Sequence, residues 1–257
     1  MLKSSSLILS IALCWNGTIY AQLPYSFRQI ARNAQYGSAH SLAVGADGTI
    51  FLANGQGGLM AYIYDGTSFI NTAHIDNGGN ALSVAVGSDD TIFLATEESG
   101  LWAYVYDGTS FTNTAHVNDG ATSNRDSGLA YSVAVGPDGT IFLANYYDGL
   151  RAYTYDGTSF TNSAHIYEGG DAISVAVDSE GTVFLINEHN NNGLWAYNYD
   201  GTSFTNIAHA DESWNAQSVA VGADGTIFLA KGISGLHAYR YDGHTFTNTA
   251  NIDDGGN

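Results

Sequence analysis

The chain repeats one unit of about 42 residues, and this periodicity constrains its fold more than any other feature. Each unit opens with a segment such as Ser83-Val84-Ala85-Val86-Gly87 and continues into a Thr-Ile/Val-Phe-Leu segment. A Gly-Leu-x-Ala-Tyr-x-Tyr-Asp-Gly segment follows, as in residues 100–108, and a last segment ends in Ala-His. Asp-Gly pairs separate the segments, because glycine accepts the positive φ of tight turns. Each unit therefore predicts four antiparallel strands.

The inner strands carry apolar residues on both faces, as in Ser83-Val84-Ala85-Val86. A sheet of this kind has to be covered on both sides. Radial stacking of four-stranded sheets covers both sides, and a unit of this length is typical of one propeller blade. The pattern predicts an all-β fold, a β-propeller with five complete blades. Their expected ranges are 40–74, 82–116, 131–165, 173–209 and 217–251.

The unit that runs from Ala81-Leu82-Ser83-Val84-Ala85-Val86 to Gly100-Leu101-Trp102-Ala103-Tyr104 resembles the blades of bacterial secreted propellers of the LVIVD and NHL-like kind. The resemblance spans nearly all of residues 26–257. It implies the fold but no particular role, because such propellers serve many functions.

The N-terminus is typical of a secretory signal peptide over residues 1–21, and residues 22–257 then form the propeller domain. Lys3 provides the positive charge, residues 7–15 form the short apolar stretch, and Ala21 ends the segment. This pattern predicts a secreted, periplasmic or cell-surface protein. Lipidation at Cys14, the one cysteine of the chain, is the less favoured alternative because bulky Leu13 precedes it.

Both ends of the repeat are out of phase with whole blades. Residues 26–32 align with the last strand of a unit, which predicts a lone N-terminal fourth strand. Residues 252–257 match residues 75–80, which precede the next unit. We therefore expect a C-terminally incomplete propeller of six or more blades. A five-bladed ring with one surplus strand is the alternative.

The charge of the chain limits its partners. There are 25 acidic residues against 7 Lys and Arg, for a net charge of −18. Such a surface repels phosphate backbones and anionic lipids, so nucleic-acid binding is disfavoured. The segments after the leader are too short and too polar to insert into a membrane. No cofactor is expected, although acidic loops leave calcium open.

Loops between strands two and three differ from blade to blade, whereas the turns on the opposite face are nearly uniform. Loops on a rigid scaffold are common places for binding residues. The sequence predicts a binding face for a protein or glycan, and neutral drift of exposed loops is the alternative. Its candidate residues are Glu97, Glu98, Tyr146, Tyr147, Asp148, Glu188, His189 and Lys231.

Recurring histidines occupy one position in successive blades, which favours a structural hydrogen bond over a metal cluster. They are His74, His116, His165 and His209, with Asn251 in the fifth copy. No metal ligands are predicted. His189 departs from this pattern.

Catalytic motifs are absent from the sequence, which favours a non-enzymatic binding scaffold. The alternative is an extracellular hydrolase or lyase that acts on a glycan or lactone at the channel mouth. Such an enzyme would gather unlike residues near the axis, and His40, Tyr131 and Gln217 are placed to do so.

Overall fold

A computed structural model describes residues 37–76, 78–119, 128–189, 193–210 and 216–253, together with four two-residue strands nearer the N-terminus. Those strands are β1 (Ile8–Leu9), β2 (Cys14–Trp15), β3 (Thr18–Ile19) and β4 (Tyr25–Ser26). The predicted leader and lone fourth strand fall almost wholly outside the described residues, and both stay predictions.

Five four-stranded antiparallel sheets follow, each with its strands in chain order. Blade one contains β5 (Ser41–Val44), β6 (Ile50–Ala53), β7 (Leu59–Tyr64) and β8 (Phe69–Ile75). Blade two contains β9 (Ala81–Val86), β10 (Ile92–Thr96), β11 (Gly100–Tyr106) and β12 (Phe111–Val117). Blade three contains β13 (Ser132–Val135), β14 (Ile141–Ala144), β15 (Leu150–Tyr155) and β16 (Phe160–Ile166). Blade four contains β17 (Asp171–Val177), β18 (Val183–Glu188), β19 (Gly193–Tyr199) and β20 (Phe204–Ala210). Blade five contains β21 (Ser218–Val221), β22 (Ile227–Ala230), β23 (Leu236–Tyr241) and β24 (Phe246–Ile252), with a short 3₁₀ helix at Gly232–Ser234.

The five blades are arranged in a ring around an axial channel that is lined by the inner strand of each blade, and the facing sides of blades one and five stay exposed. The predicted all-β propeller and its five repeat units are confirmed. No helix among the described residues is long and apolar enough to cross a membrane.

Four clusters of buried side chains lie between consecutive blades. At the junction of blades three and four, Phe142 packs edge-on against Tyr199, with ring centroids 5.4 Å apart, and at a tilt of 55° against Phe204, with centroids 6.1 Å apart. The same three-ring contact recurs around Phe51, Phe93 and Phe184. Edge-to-face contacts of this kind add to the stabilisation from burial. The apolar residues on both sides of a blade are therefore used by two different neighbours.

Polar contacts also join the blades in a fixed direction. The backbone N–H of Val133 donates to Ser83 Oγ of the preceding blade at 3.2 Å, and the contact recurs at three other junctions. Near the outer edge, the hydroxyls of Thr114 and Tyr155 lie 2.5 Å apart. Equivalent pairs join Thr72 to Tyr106 and Ser163 to Tyr199.

The junction of blades four and five lacks this outer hydroxyl pair. Ile207 stands where the earlier blades have Thr or Ser, and the Tyr241 hydroxyl is buried without a hydrogen-bond partner among the described residues. Both residues line one cavity of about 750 Å³. A buried hydroxyl without a partner is destabilising.

We expect Ile207→Thr to be more stable than Ile207→Val by about 1–2 kcal/mol, because only threonine offers Tyr241 a partner. Valine is the matched control, since it has the shape of threonine without the hydroxyl. The free energies of unfolding from urea titrations measure the difference. Equal stability of the two variants would show that Tyr241 gains nothing from the new hydroxyl.

The turns between strands three and four are closed by an aspartate. The Asp107 carboxylate accepts hydrogen bonds from the Thr109 and Ser110 N–H groups at 2.8 and 2.7 Å, and from both hydroxyls. Asp156 and Asp200 make the same contacts in blades three and four. The backbone N–H of the threonine two residues on, together with the serine donors, lowers the pKa of these three carboxyls to about 2.

These turns predict a loss of stability in acid. An aspartate in an unfolded chain titrates near about 3.9, so a lower pKa in the folded state stabilises the fold above that pH. The stabilisation decreases as the pH falls from about 4 towards about 2. Melting temperatures across this range measure the effect, and the triple variant Asp107→Asn, Asp156→Asn, Asp200→Asn should melt with a flatter pH profile. The prediction would be contradicted if NMR titration of the folded protein gave these three carboxyls the ordinary pKa of an aspartate.

Candidate functional site

One end of the axial channel opens among the variable loops. The channel cavity has a volume of about 710 Å³, and polar side chains line its end at the start of the inner strands. They are His40, Asn80, Glu97, Tyr131 and Gln217. The Asn80 amide donates to Glu97 Oε2 at 2.9 Å. The repeat places these residues together because each either precedes an inner strand or follows a second strand.

Three tyrosines of blade three form an aromatic cluster at this mouth. Tyr131 precedes β13 and stacks on Tyr146, with ring centroids 4.6 Å apart and planes within 9°. Tyr147 also contacts Tyr146, with ring centroids 4.1 Å apart and planes tilted by 59°. The mouth therefore carries a stacked aromatic pair beside an exposed third ring.

Tyr146 has a backbone conformation that side chains rarely adopt. Its φ is 46°, and glycines occupy the same position in blades one and five, Gly55 at 57° and Gly232 at 47°. Its backbone exchanges two hydrogen bonds of 3.0 Å with Ala172 of the next blade, which hold this conformation. A non-glycine residue in this region carries strain of about 1–3 kcal/mol, and such strain concentrates at functional sites.

Carboxylates surround the tyrosine cluster. Burial raises the pKa of the Tyr131 hydroxyl, and the nearby Glu97, Glu188 and Asp171 carboxylates raise it further. Burial also raises the pKa of Tyr146, with Tyr147 and Asp171 acting in the same direction. Both hydroxyls therefore stay protonated around neutral pH and can donate hydrogen bonds.

His189 and Asp171 form a pair on the same face of blade four. His189 Nδ1 lies 2.8 Å from Asp171 Oδ2, with the histidine more than half exposed and the aspartate mostly buried. His189 also has a positive φ, 63°. A carboxylate on one ring nitrogen orients an imidazole and fixes its tautomer.

The recurring histidines have different partners. Nε2 of His74 and of His116 contacts a backbone carbonyl of the loop in the same blade, at 2.8 and 2.6 Å. His165 makes the corresponding contact at 2.5 Å, and His116 and His209 each stack on a tryptophan. These contacts agree with a structural role at the blade edge. Within the described ranges, no three His, Cys, Asp or Glu side chains are grouped as metal ligands.

Of the eight predicted residues, Tyr146 and Tyr147 contact each other, Glu97 lines the channel mouth, and His189 pairs with Asp171. Glu188 contributes with Glu97 to the raised pKa of Tyr131. The other three have different surroundings. Asp148 bonds to Arg151 Nε at 2.5 Å and to the Asn145 amide, Lys231 is buried, and Glu98 lines a groove that Asn80 and Glu97 of the channel mouth also line. Two of the blades have longer loops in the sequence, around residues 122–126 and 190–192, and both segments lie outside the described residues.

Asp171 was missed in the sequence. It holds the position that Asn80 has in blade two, three residues before the recurring serine of the inner strand. The change from an amide to a carboxylate at this position was the available signal. Tyr131 was identified only as a residue of the channel mouth, and the structure shows it stacked on Tyr146.

Comparisons with known proteins identify the fold. No protein-family model and no curated protein matches the chain. A solved protein from Lactobacillus plantarum is similar with a TM-score of 0.69 and 17% identity, over 84% of this chain and 71% of that one. A gluconolactonase from Xanthomonas campestris has a TM-score of 0.63 and 15% identity, over 85% and 77%. Virginiamycin B lyase from Staphylococcus aureus has a TM-score of 0.64 and 12% identity, over 84% and 70%.

At these identities the likeness concerns the propeller fold alone. The resemblance to LVIVD and NHL-like blades, for which no family model provides support, stays a prediction.

Proposed function

We propose that the chain is a binding propeller that recognises an uncharged, sugar-like molecule at the channel mouth. The observation that carries the proposal is Tyr146, a strained aromatic residue stacked on Tyr131 where two other blades use glycine. Flat aromatic rings offer apolar surface to the C–H face of a sugar, while carboxylates and amides bind hydroxyl groups. Glu97, Asn80 and Gln217 supply such groups at the same opening.

The charge at the mouth favours a neutral ligand over an anionic one. Glu97 and Tyr131 line the same opening, and the Asp171 and Glu188 carboxylates act with Glu97 to raise the pKa of Tyr131. The chain as a whole has a net charge of −18. A phosphorylated or carboxylated ligand would be repelled, because like charges disfavour association.

Calorimetric titration with glucose, glucono-δ-lactone, 6-phosphogluconate and choline tests this proposal. We expect binding of a neutral compound and none of the phosphate ester. Tyr147→Ala should weaken the binding, whereas the control Phe69→Ala should not. Both rings are 38% exposed, but Phe69 begins the outer strand β8 after the turn between strands three and four, on the face away from the channel mouth. If choline alone binds, the sugar-like ligand is wrong, and the site binds a cation through aromatic rings and carboxylates.

The His189–Asp171 pair favours a second function, hydrolysis of a neutral lactone. A histidine oriented by a carboxylate can accept a proton from water as the water attacks a carbonyl carbon. The ring C–O bond then breaks, and the leaving oxygen takes up a proton. The likeness in fold to a gluconolactonase is in keeping with this candidate.

A pH-stat assay with glucono-δ-lactone tests the second function. Activity that is lost in His189→Gln, with lactone binding retained, would support it. Lactone that binds without being opened faster than in buffer would leave only the binding function.

A further inference from the structure

The two ends of the blade series expose side chains that every internal junction buries. Phe228 of blade five is 37% exposed, whereas Phe184 at the same position of blade four is 1% exposed. Leu42 of blade one is 64% exposed, whereas Val84 at the same position of blade two is 5% exposed. Inner strands of consecutive blades pack closely together, and β5 and β21 lack this close packing in the described residues.

The outer strand of blade five follows the same pattern. Ala250 is exposed, while the alanines at the same position of the other blades are buried. Those residues are Ala73, Ala115, Ala164 and Ala208. The exposure thus extends across the whole face of blade five, from its inner to its outer strand.

The exposed faces are the two unmatched halves of the junction that recurs inside the ring. Blade five offers the Ser218 hydroxyl and the Phe228 ring, which correspond to the acceptor and the buried ring of the earlier blades. Blade one offers the Leu42 N–H, Tyr64 and Phe69, which correspond to the donor and the two covering rings of the later blades. Four internal junctions show what covers each half.

We propose that the opening between blades five and one takes up a further four-stranded blade of the same repeat, in tandem with blade five. Such a blade would place a tyrosine and a phenylalanine on Phe228 and a backbone N–H on Ser218, as at every internal junction. Loop-to-strand bridges already link consecutive blades in this direction, Gly55 with Ala81 and Tyr146 with Ala172, and Gly232 holds the corresponding position in blade five.

A second copy of the chain is a poorer occupant. It would have to bring its own blades into the same opening, and pairing of unlike faces between copies ends in a closed assembly only where the rotation between the copies permits a ring. A tandem blade meets the exposed face of blade five with the geometry that the four junctions share. Its own far side then faces the exposed side of blade one.

The test appends a copy of residues 81–117 after Asn257, which continues the repeat in phase because residues 253–257 correspond to residues 76–80. Thiol reporters are placed singly by Phe228→Cys and Leu42→Cys in a Cys14→Ser background. We expect the Phe228→Cys thiol to react about 100-fold more slowly in the extended chain, because a covered thiol reacts only through local opening.

The matched control is the same extension with its copies of Tyr106 and Phe111 replaced by serine, which should restore fast labelling. Slow labelling at Leu42→Cys as well supports a single blade that spans the opening. Unchanged labelling at Phe228→Cys in the extended chain would overturn the proposal. So would slow labelling at both reporters in the unextended chain, with concentration-dependent dimers in light scattering, because a second copy would then be the occupant.

Discussion

Phe142→Ala should lower the free energy of unfolding by about 3–5 kcal/mol, whereas Phe228→Ala should lower it by about 1 kcal/mol or less. The two residues hold the same position in blades three and five. Phe142 is enclosed by Tyr199 and Phe204, whereas Phe228 is partly exposed. Removal of the enclosed ring leaves a cavity, while removal of the exposed ring leaves a surface that water already reaches.

Urea titrations of both variants, followed by circular dichroism, measure this difference. Phe184→Ala serves as the second enclosed position and should behave like Phe142→Ala. An equally large loss at Phe228 would mean that blades one and five pack together in solution, contrary to the exposure of their facing sides.

The second large effect is expected at Tyr146. Tyr146→Gly should weaken binding of the neutral sugar or lactone by about tenfold or more, because one stacked ring is worth about 0.5–1.5 kcal/mol beyond its buried area. The loss of stability should be small, because glycine adopts the observed φ without strain. Calorimetry gives the affinity, and urea titration gives the stability.

Tyr146→Ala is the control that separates strain from the loss of the ring. Both variants lack the ring, but alanine keeps the unfavourable backbone conformation, so the glycine variant should be more stable by about 1–2 kcal/mol. In an ordinary extended position the order would be reversed. An alanine variant as stable as the glycine variant would show that the backbone relaxes and that no strain is stored there.

The blades could be predicted from the sequence because the pattern of every strand and turn occurs five times. Buried positions such as Phe184 and Tyr197 follow from the two-sided apolar pattern. The exposure of Phe228 could not be predicted in this way. It holds the same position of the repeat as Phe184, but none of the described blades covers it in the folded structure. Exposure there depends on which blade stands beside it, and a local pattern does not contain that information.

The candidate site was predictable in place but less so in detail. Variable loops identified Tyr146 and His189, and the position before an inner strand identified Tyr131. The His189–Asp171 contact joins two residues whose counterparts in the other blades are of other types, so comparison of the repeats does not reveal it. Asp148 has a local partner three residues on, Arg151, which a comparison of loop lengths does not weigh.

The contacts between blades have a direction, since serine and phenylalanine of one blade always meet the N–H, tyrosine and phenylalanine of the next. A unit copied or deleted as a whole leaves each remaining junction with the same two halves. The number of units can therefore change by recombination between near-identical repeats without any compensating substitution. The side chains of loop residues such as Tyr146 and His189 take no part in these serine and ring contacts, so they are free to diversify in one unit while the others stay unchanged.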